Sequence, residues 1–408
     1  MDLASISLLV GGEGWGLLQS LPTYDPSTEL ALQTRLRDAG FTPALVAAAL
    51  TQSRLRSRGR DKFGEFAEEM LFTPDGLEQA TRLEVAARHA SRYLRAEVRV
   101  VHDLGCGIGA DAMAFAGLDL AVRAVEVHDV TAVVAGVNLR HWPDAVVTHG
   151  RVEDVAMPTG EATRHTGLWL DPARRTRGPA DIQGRSRRVF SLEAISPSWR
   201  QVQAFAQTVP ATGAKLSPAF PHHAVPPGTE AAWTSWGGDV VECAVWWGPL
   251  VQTAGRTATV CRVGAAPVVL VEADAEGAAA PLSGLDGLGT LVYEPDRAII
   301  RAGLTGALAR VVDGRELDSG VGYVTSDRVM DLSWAHRYRV LEAMPWNLKA
   351  LRAWLRDHDV GRVTIKKRGV ALDPDAVRKQ LRTRGAGEAT LILTRIGSQP
   401  QIIVVQPA

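Results

Sequence analysis

The chain has 408 residues, 46% of them hydrophobic, and its 45 lysines and arginines are balanced by 45 aspartates and glutamates. That length allows two or three domains, each with its own buried core. Its three cysteines, Cys106, Cys243 and Cys261, are odd in number, scattered and without a CxxC pair, which excludes a disulfide framework and a cysteine zinc site and fits a reducing, cytoplasmic compartment. The first apolar run ends at the glycines after about seven residues, too short for a signal sequence or a membrane span, so no membrane partner is expected.

In chain order, residues 1–95 read as a helical N-terminal domain, with apolar residues at helical spacing from Ser27 to about Leu94. Gly40 ends one helix, Thr42-Pro43 opens the next, and Thr73-Pro74 repeats that entry. Residues 96–250 change to short apolar runs alternating with helical stretches, the pattern of a parallel α/β sheet. The runs are 98–103, 121–127, 145–149, 167–171 and 213–216, and then 231–236 and 239–247 flank the hairpin signal Gly237-Gly238. A parallel sheet closed by an antiparallel hairpin is the strand inventory of a Rossmann-like class I methyltransferase, not of a dehydrogenase with two matching halves. Residues 251–290 are rich in glycine and alanine and read as a linker or β extension. Residues 291–408 read as a separate α/β unit, with helices at 296–310 and 348–357 and strands at 362–366, 389–395 and 401–405.

The segment VVHDLGCGIGADAMAFA places a strand ending in Asp103 before Gly105, Cys106, Gly107 and Gly109, and a helix after them. Such a turn lets backbone N–H groups and a helix N-terminus approach a ligand closely. The GxGxG spacing and the acidic residue two positions before the first glycine favour S-adenosyl-L-methionine over a dinucleotide. Glu126 ends the second strand 23 positions after Asp103, where a carboxylate can accept from two ribose hydroxyls. After the third strand, Val152, Glu153 and Asp154 are candidates for the adenine, the two acids being equally readable as caps of a solvated loop.

Several segments together carry a family resemblance: KFG at 62–64, LFTPDGLEQATR at 71–82, DLGCGIGAD at 103–111, LDPARR at 170–175, LVYEPDRAIIRAGL at 291–304 and VTIKKRG at 363–369. Over roughly residues 30–408 the chain resembles class I S-adenosylmethionine-dependent methyltransferases with a C-terminal THUMP-like domain, and its catalytic half is distantly similar to trimethylguanosine synthase. The resemblance implies that Phe72, Thr73 and Gln79 help close over the cofactor. In amino-methylating relatives the fourth strand ends in Asn/Asp-Pro-Pro-aromatic, whose carboxylate or amide and following carbonyl accept the hydrogens of an exocyclic amine. This chain keeps Asp171 and Pro172 as candidate catalytic residues but lacks the second proline and the aromatic, so the motif is compatible with N-methylation without singling it out. Arg174 can stack on a base in place of the ring and Arg175 can bind a phosphate, or both can begin a solvated loop.

Other chemistries fit poorly. Cys106 lies inside the glycine loop, while Cys243 and Cys261 sit in apolar strand-like surroundings, which argues against a cysteine nucleophile. His222-His223 has no third ligand at a recognisable spacing, so no metal is expected.

Substrate signals lie in the charge distribution. Residues 174–188 hold six arginines against one aspartate, and 362–384 hold eight lysines or arginines against two aspartates, including Lys366, Lys367 and Arg368. With the THUMP-like resemblance, which implies docking of structured RNA, these point to a base of tRNA or rRNA as the target. Two alternatives stay open, a binding or assembly factor that retains the fold without catalysis, and a methyltransferase acting on a small molecule or a protein.

Overall fold

The computed structural model describes residues 1–174, 192 and 195–408, the side chains of 173 and 174 excepted. The chain divides into two compact units, residues 1–216 with 246–252, and residues 217–245 with 253–408.

The first unit begins with helices α1 (Leu3–Val10), α2 (Gly12–Ser20), α3 (Glu29–Asp38), α4 (Pro43–Phe63), α5 (Pro74–Gln79) and α6 (Leu83–Arg95). α4 and α5 start as their Thr-Pro signals predict, with Thr42 and Thr73 accepting hydrogen bonds from the N–H groups of Leu45 and Gly76. α1 and α2 were not foreseen. They fold around a glycine-rich segment because Leu9 and Leu17 pack with Leu45, Val46 and Ala49 of α4, and tertiary burial outweighs weak helix propensity.

The unit continues with β1 (Val100–Leu104), α7 (Ala110–Ala116), β2 (Ala121–Glu126), α8 (Asp129–Asn138), β3 (Ala145–His149), β4 (Thr166–Leu170), the short β5 (Ala173–Arg174) and β6 (Ile195–Ser196), α9 (Trp199–Thr208) and β7 (Ala211–Leu216). Its five main strands are parallel in the order β7-β4-β1-β2-β3. The strand order reverses between β1 and β4, so the cleft for a ligand lies beyond the carboxyl ends of these two strands. The helices of residues 1–95 belong to the same compact unit as this sheet.

Behind the sheet, α6 buries Val85, Ala86, His89, Ala90 and Tyr93 along one stripe. Its His89 ring lies 4.4 Å from Trp169, which stacks at 5.2 Å on Trp246, and the Tyr93 hydroxyl donates to the Leu168 carbonyl. These buried rings make a rigid backing for the ends of β1 and β4.

The second unit carries β8 (Glu230–Trp236) and β9 (Asp239–Trp246), joined at Gly237-Gly238 as predicted, then β10 (Gly255–Cys261), β11 (Val268–Val271) and α10 (Glu272–Ala275). β10 runs parallel to β8 and antiparallel to β11, so much of the stretch read as linker or β extension is strand. There follow β12 (Leu291–Pro295), α11 (Arg297–Ala302), α12 (Thr305–Val311), β13 (Arg315–Glu316), β14 (Val324–Ser326), β15 (Ala335–Pro345), α13 (Leu348–Asp357), β16 (Val360–Lys367), α14 (Pro374–Leu381), β17 (Gly387–Ile396) and β18 (Gln399–Pro407). They form a seven-stranded sheet in the order β13-β14-β12-β15-β18-β17-β16. Alternation sorts its core onto two faces. Leu391, Leu393, Ile402 and Val404 pack with Leu351, Leu355, Val377 and Leu381 of α13 and α14, while Ile392, Ile403 and Val405 pack with Tyr323 and Tyr338 on the other side.

Candidate active site

β1 delivers Asp103 into the cleft, 1% exposed, and neither of its carboxylate oxygens has a hydrogen-bond partner among the described residues. Burial, with the charges of Asp111, Asp171 and Glu126 nearby, pushes its pKa well above the usual carboxylate range. A buried acceptor left unsatisfied is costly unless a ligand fills the gap. The glycine turn beside it runs through positive φ at Gly105 (+93°), Gly107 (+56°) and Gly109 (+87°), leading into α7. A side chain at Gly105 would also press on the Asp171 carbonyl oxygen, 3.1 Å from an ideal Cβ, so glycine lets the β1 and β4 ends close up.

Glu126 is buried at the end of β2, and its two oxygens accept from Gly107 N at 3.0 Å and His128 N at 2.9 Å. It therefore braces the glycine turn, and each oxygen keeps a second lone pair for a hydroxyl. Val152, Glu153 and Asp154 form a single 3-10 turn after β3, with both acids exposed and Glu153 3.6 Å from Arg151. Cys106 is buried, and burial together with the charges of Asp103 and Glu126 pushes its thiol pKa well up, which rules against a thiolate nucleophile at pH 7.

The LFTP segment is held by two buried amides that the sequence did not single out. Asn138 of α8 accepts from Leu71 N at 2.8 Å and donates to the Leu71 and Ile108 carbonyls at 3.1 and 2.9 Å. Gln52 of α4 does the same for Phe72, accepting from its N–H at 3.0 Å and donating to its carbonyl at 2.7 Å. The Phe72 ring is fully buried against Phe63. Thr73 caps α5, and Gly76 lies so close to the Ile108 side chain that a Cβ there would sit 2.4 Å from it, seating α5 against the glycine turn. At the other end of α5, Lys62 donates to the carbonyls of Leu77, Glu78 and Ala80. Burial and the neighbouring charges of Lys215 and Arg82 lower the Lys62 pKa to about 8.

Asp111, in the first turn of α7, accepts from Thr81 Oγ1 at 2.7 Å and pairs with His89 Nδ1 at 2.8 Å. Burial alone would raise its pKa, but the bonds from His89 and Thr81 outweigh it and hold the group below the usual range. Asp171 follows β4, and its Oδ2 lies 2.8 Å from the Nζ of Lys215 on β7, another residue missed in the sequence. Pro172 is buried next to it. The Arg174 side chain, Arg175 and the rest of the arginine-rich run to 188 lie outside the described residues.

In the second unit, two motifs of the resemblance meet. Glu294 of LVYEPDR, buried, receives Lys366 Nζ at 2.6 Å and Arg368 Nη2 at 2.8 Å from VTIKKRG, and the Tyr338 hydroxyl at 3.2 Å. Burial works against the Lys366 ammonium, yet Glu294 raises its pKa. Lys366 and Arg368 are thus tied inward, and Lys367 is the exposed member of the three. His222 Nε2 donates to the Arg301 carbonyl and its Nδ1 accepts from Arg256 Nη1, joining loop to helix, and His223 is exposed.

A reversal point in a parallel sheet, a glycine turn at positive φ, a bracing acid on the second strand and a buried partnerless carboxylate define an S-adenosylmethionine-binding enzyme of the class I methyltransferase type. Comparison with known proteins agrees. The chain is 31% identical over 380 residues, 89% of its length, to an uncharacterized S-adenosylmethionine-dependent methyltransferase of Mycobacterium tuberculosis, in strains CDC 1551 and H37Rv, of which it covers 96%. The chain belongs to this family of S-adenosylmethionine-dependent methyltransferases. The crystal structure of a candidate methyltransferase from Porphyromonas gingivalis W83 shares the fold, with a TM-score of 0.67 and 19% identity over 95% of this chain and all of the other. The family model for a THUMP domain-like region matches residues 335–407, the segment from β15 to β18, and a domain of unknown function matches residues 2–59.

The residues present fit the cofactor. Bound S-adenosyl-L-methionine supplies an electrophilic methyl carbon on a sulfonium sulfur. Asp103 would offer a buried carboxylate to its cationic groups, the turn from Gly105 to Gly109 would admit it closely, and Glu126 would accept from its ribose hydroxyls.

Proposed function

We propose that this methyltransferase modifies a base of structured RNA, tRNA or rRNA, at an exocyclic amine. The THUMP domain-like match at residues 335–407 carries the reading, because it appends to a methyl-transfer unit a domain whose relatives dock on RNA. The end of β4 supports the amine. Asp171 and the Pro172 carbonyl supply two acceptors for its hydrogens, which directs the nitrogen lone pair toward the methyl carbon, and the partly exposed Asp171 passes the released proton to solvent.

Methyl transfer from labelled S-adenosylmethionine to total RNA of a strain lacking the gene, followed by nucleoside mass spectrometry, tests this. A base-methylated nucleoside is the expected result. Label confined to protein or small molecules would overturn the RNA reading. Asp171→Ala should abolish turnover, at least 100-fold, while leaving cofactor binding nearly intact.

A further inference from the structure

We infer that Lys215 is a positioning residue for methyl transfer, holding the Asp171 carboxylate ionised and oriented at the end of β4. This rests on the reading of Asp171 as the group that faces the methyl acceptor.

Lys215 is out of place on a sequence view. β7 reads ATGAKL, and every other residue of the strand is buried. A lysine in such a strand must give up most of its hydration, which is sustained only where its charge is paired. Its side chain is 14% exposed, and its Nζ lies 2.8 Å from Asp171 Oδ2 and 3.5 Å from the Gln79 carbonyl.

The surroundings are acidic. Asp171, Glu126 from β2 and Asp111 from α7 all act on the Asp103 carboxyl, and the charge of Lys215 eases ionisation of both Asp103 and Asp111. Lys62 of α4 is the other ammonium close by, committed to three carbonyls at the end of α5. His89 answers Asp111. Replacing Lys215 would remove the cation 2.8 Å from Asp171 Oδ2, and loss of an adjacent cation moves a carboxyl toward its protonated form.

That matters for the chemistry. A carboxylic acid presents an O–H donor where the amine needs an acceptor. The ion pair with Asp171 fits an electrostatic role for Lys215. Lys215 therefore sets the pH below which the enzyme stops working, without touching the cofactor.

Two measurements test this on the full-length protein. The first is the pH profile of methyl transfer to total RNA from the deletion strain, for wild type, Lys215→Met, Lys215→Arg and Asp171→Asn. Lys215→Met should lower kcat at least tenfold, leave the dissociation constant for S-adenosylmethionine within about twofold, and move the acid limb up by about one to three pH units, the range an adjacent cation confers on an aspartate. Lys215→Arg should return most of the acid limb, since it keeps the charge but not the point geometry. An acid limb unmoved in Lys215→Met, with cofactor affinity retained, overturns the inference. The second needs no RNA substrate. Carbon-13 NMR titration of the wild-type Asp171 carboxyl, assigned by its loss in Asp171→Asn, should place it at or below the ordinary aspartate range, and titration clearly above that range also overturns the inference. Full activity of Asp171→Asn, whose amide oxygen still accepts, also overturns the inference, because no ionised carboxylate is then needed; full activity of Asp171→Ala would instead remove the reading on which this one rests, and absence of label in RNA would remove the RNA target while leaving the titration to decide on Lys215.

Discussion

Asp103 in the first unit and Glu294 in the second are both buried carboxylates, and they are served in opposite ways. Glu294 is met by two cations and a tyrosine hydroxyl, while Asp103 has no hydrogen-bond partner among the described residues. A buried acid that the protein itself satisfies is part of the architecture, whereas one left unsatisfied is a debt that a ligand settles. The contrast also separates what looks basic from what is available. Lys366 and Arg368 belong to the most basic stretch of the C-terminal sequence, yet both are engaged by Glu294.

The contrast can be broken at either end. The largest effect should come from Glu294→Ala, which leaves Lys366 and Arg368 without their countercharge and should cost about 3 kcal/mol of stability, the lower end for breaking a buried pair. Urea denaturation with hydrogen exchange over residues 291–407 would measure it, and an unchanged stability would show that the cluster is not structural. The cofactor dissociation constant should stay at its wild-type value.

Asp103→Asn should act in two directions. Cofactor affinity should fall about 10- to 100-fold by calorimetry, as for a lost charged hydrogen bond of about 1.5–3 kcal/mol. The ligand-free protein should become more stable, because a strained charge has gone. The sign follows from the raised folded pKa of Asp103. Its cost is absent below the unfolded pKa of 3.8 and grows as pH rises through the folded value, so the gain in the variant is present in alkaline solution and vanishes in acid. Loss of stability at high pH would mean that Asp103 has a partner after all.

The smallest effect is expected at Lys367. If it contacts one RNA phosphate, Lys367→Glu should reduce the slope of log K against log salt by about one while leaving base preference alone. An unchanged slope would place the RNA contact elsewhere.

The parts of the fold that were legible follow short-range rules. β3 and α13 match their expected spans, and β1, β2, β4, β8 and β9 fall within two residues of theirs, because alternation and capping are written locally. The helix read at 296–310 is two, α11 and α12, parted where Gly303 turns left-handed at φ +72°. β15 was not read because its charged HRYRVLE pattern becomes a strand only through pairing with β12 and β18. The site shows the same limit. The glycine turn and its acids are contiguous motifs, whereas Asn138, Gln52 and Lys215 act on partners 67, 20 and 44 positions away. As isolated polar residues in a helix or strand they carry no signal, and only the assembled sheet brings them to Leu71, Phe72 and Asp171. The inward engagement of Lys366 and Arg368 was likewise invisible, since Glu294 lies more than 70 positions before them.

The grip of Asn138 and Gln52 on the LFTP segment has a consequence for how the cofactor site opens. Residues 70–73 belong to no helix or strand, yet the amide protons of Leu71 and Phe72 are buried and bonded. A segment without regular structure ordinarily trades its amide protons with solvent almost at once, whereas these two are released only when α8 or α4 lets go of the chain. They are therefore natural clocks, and their exchange rates read how often the wall beside the glycine turn comes loose and whether a bound cofactor slows it.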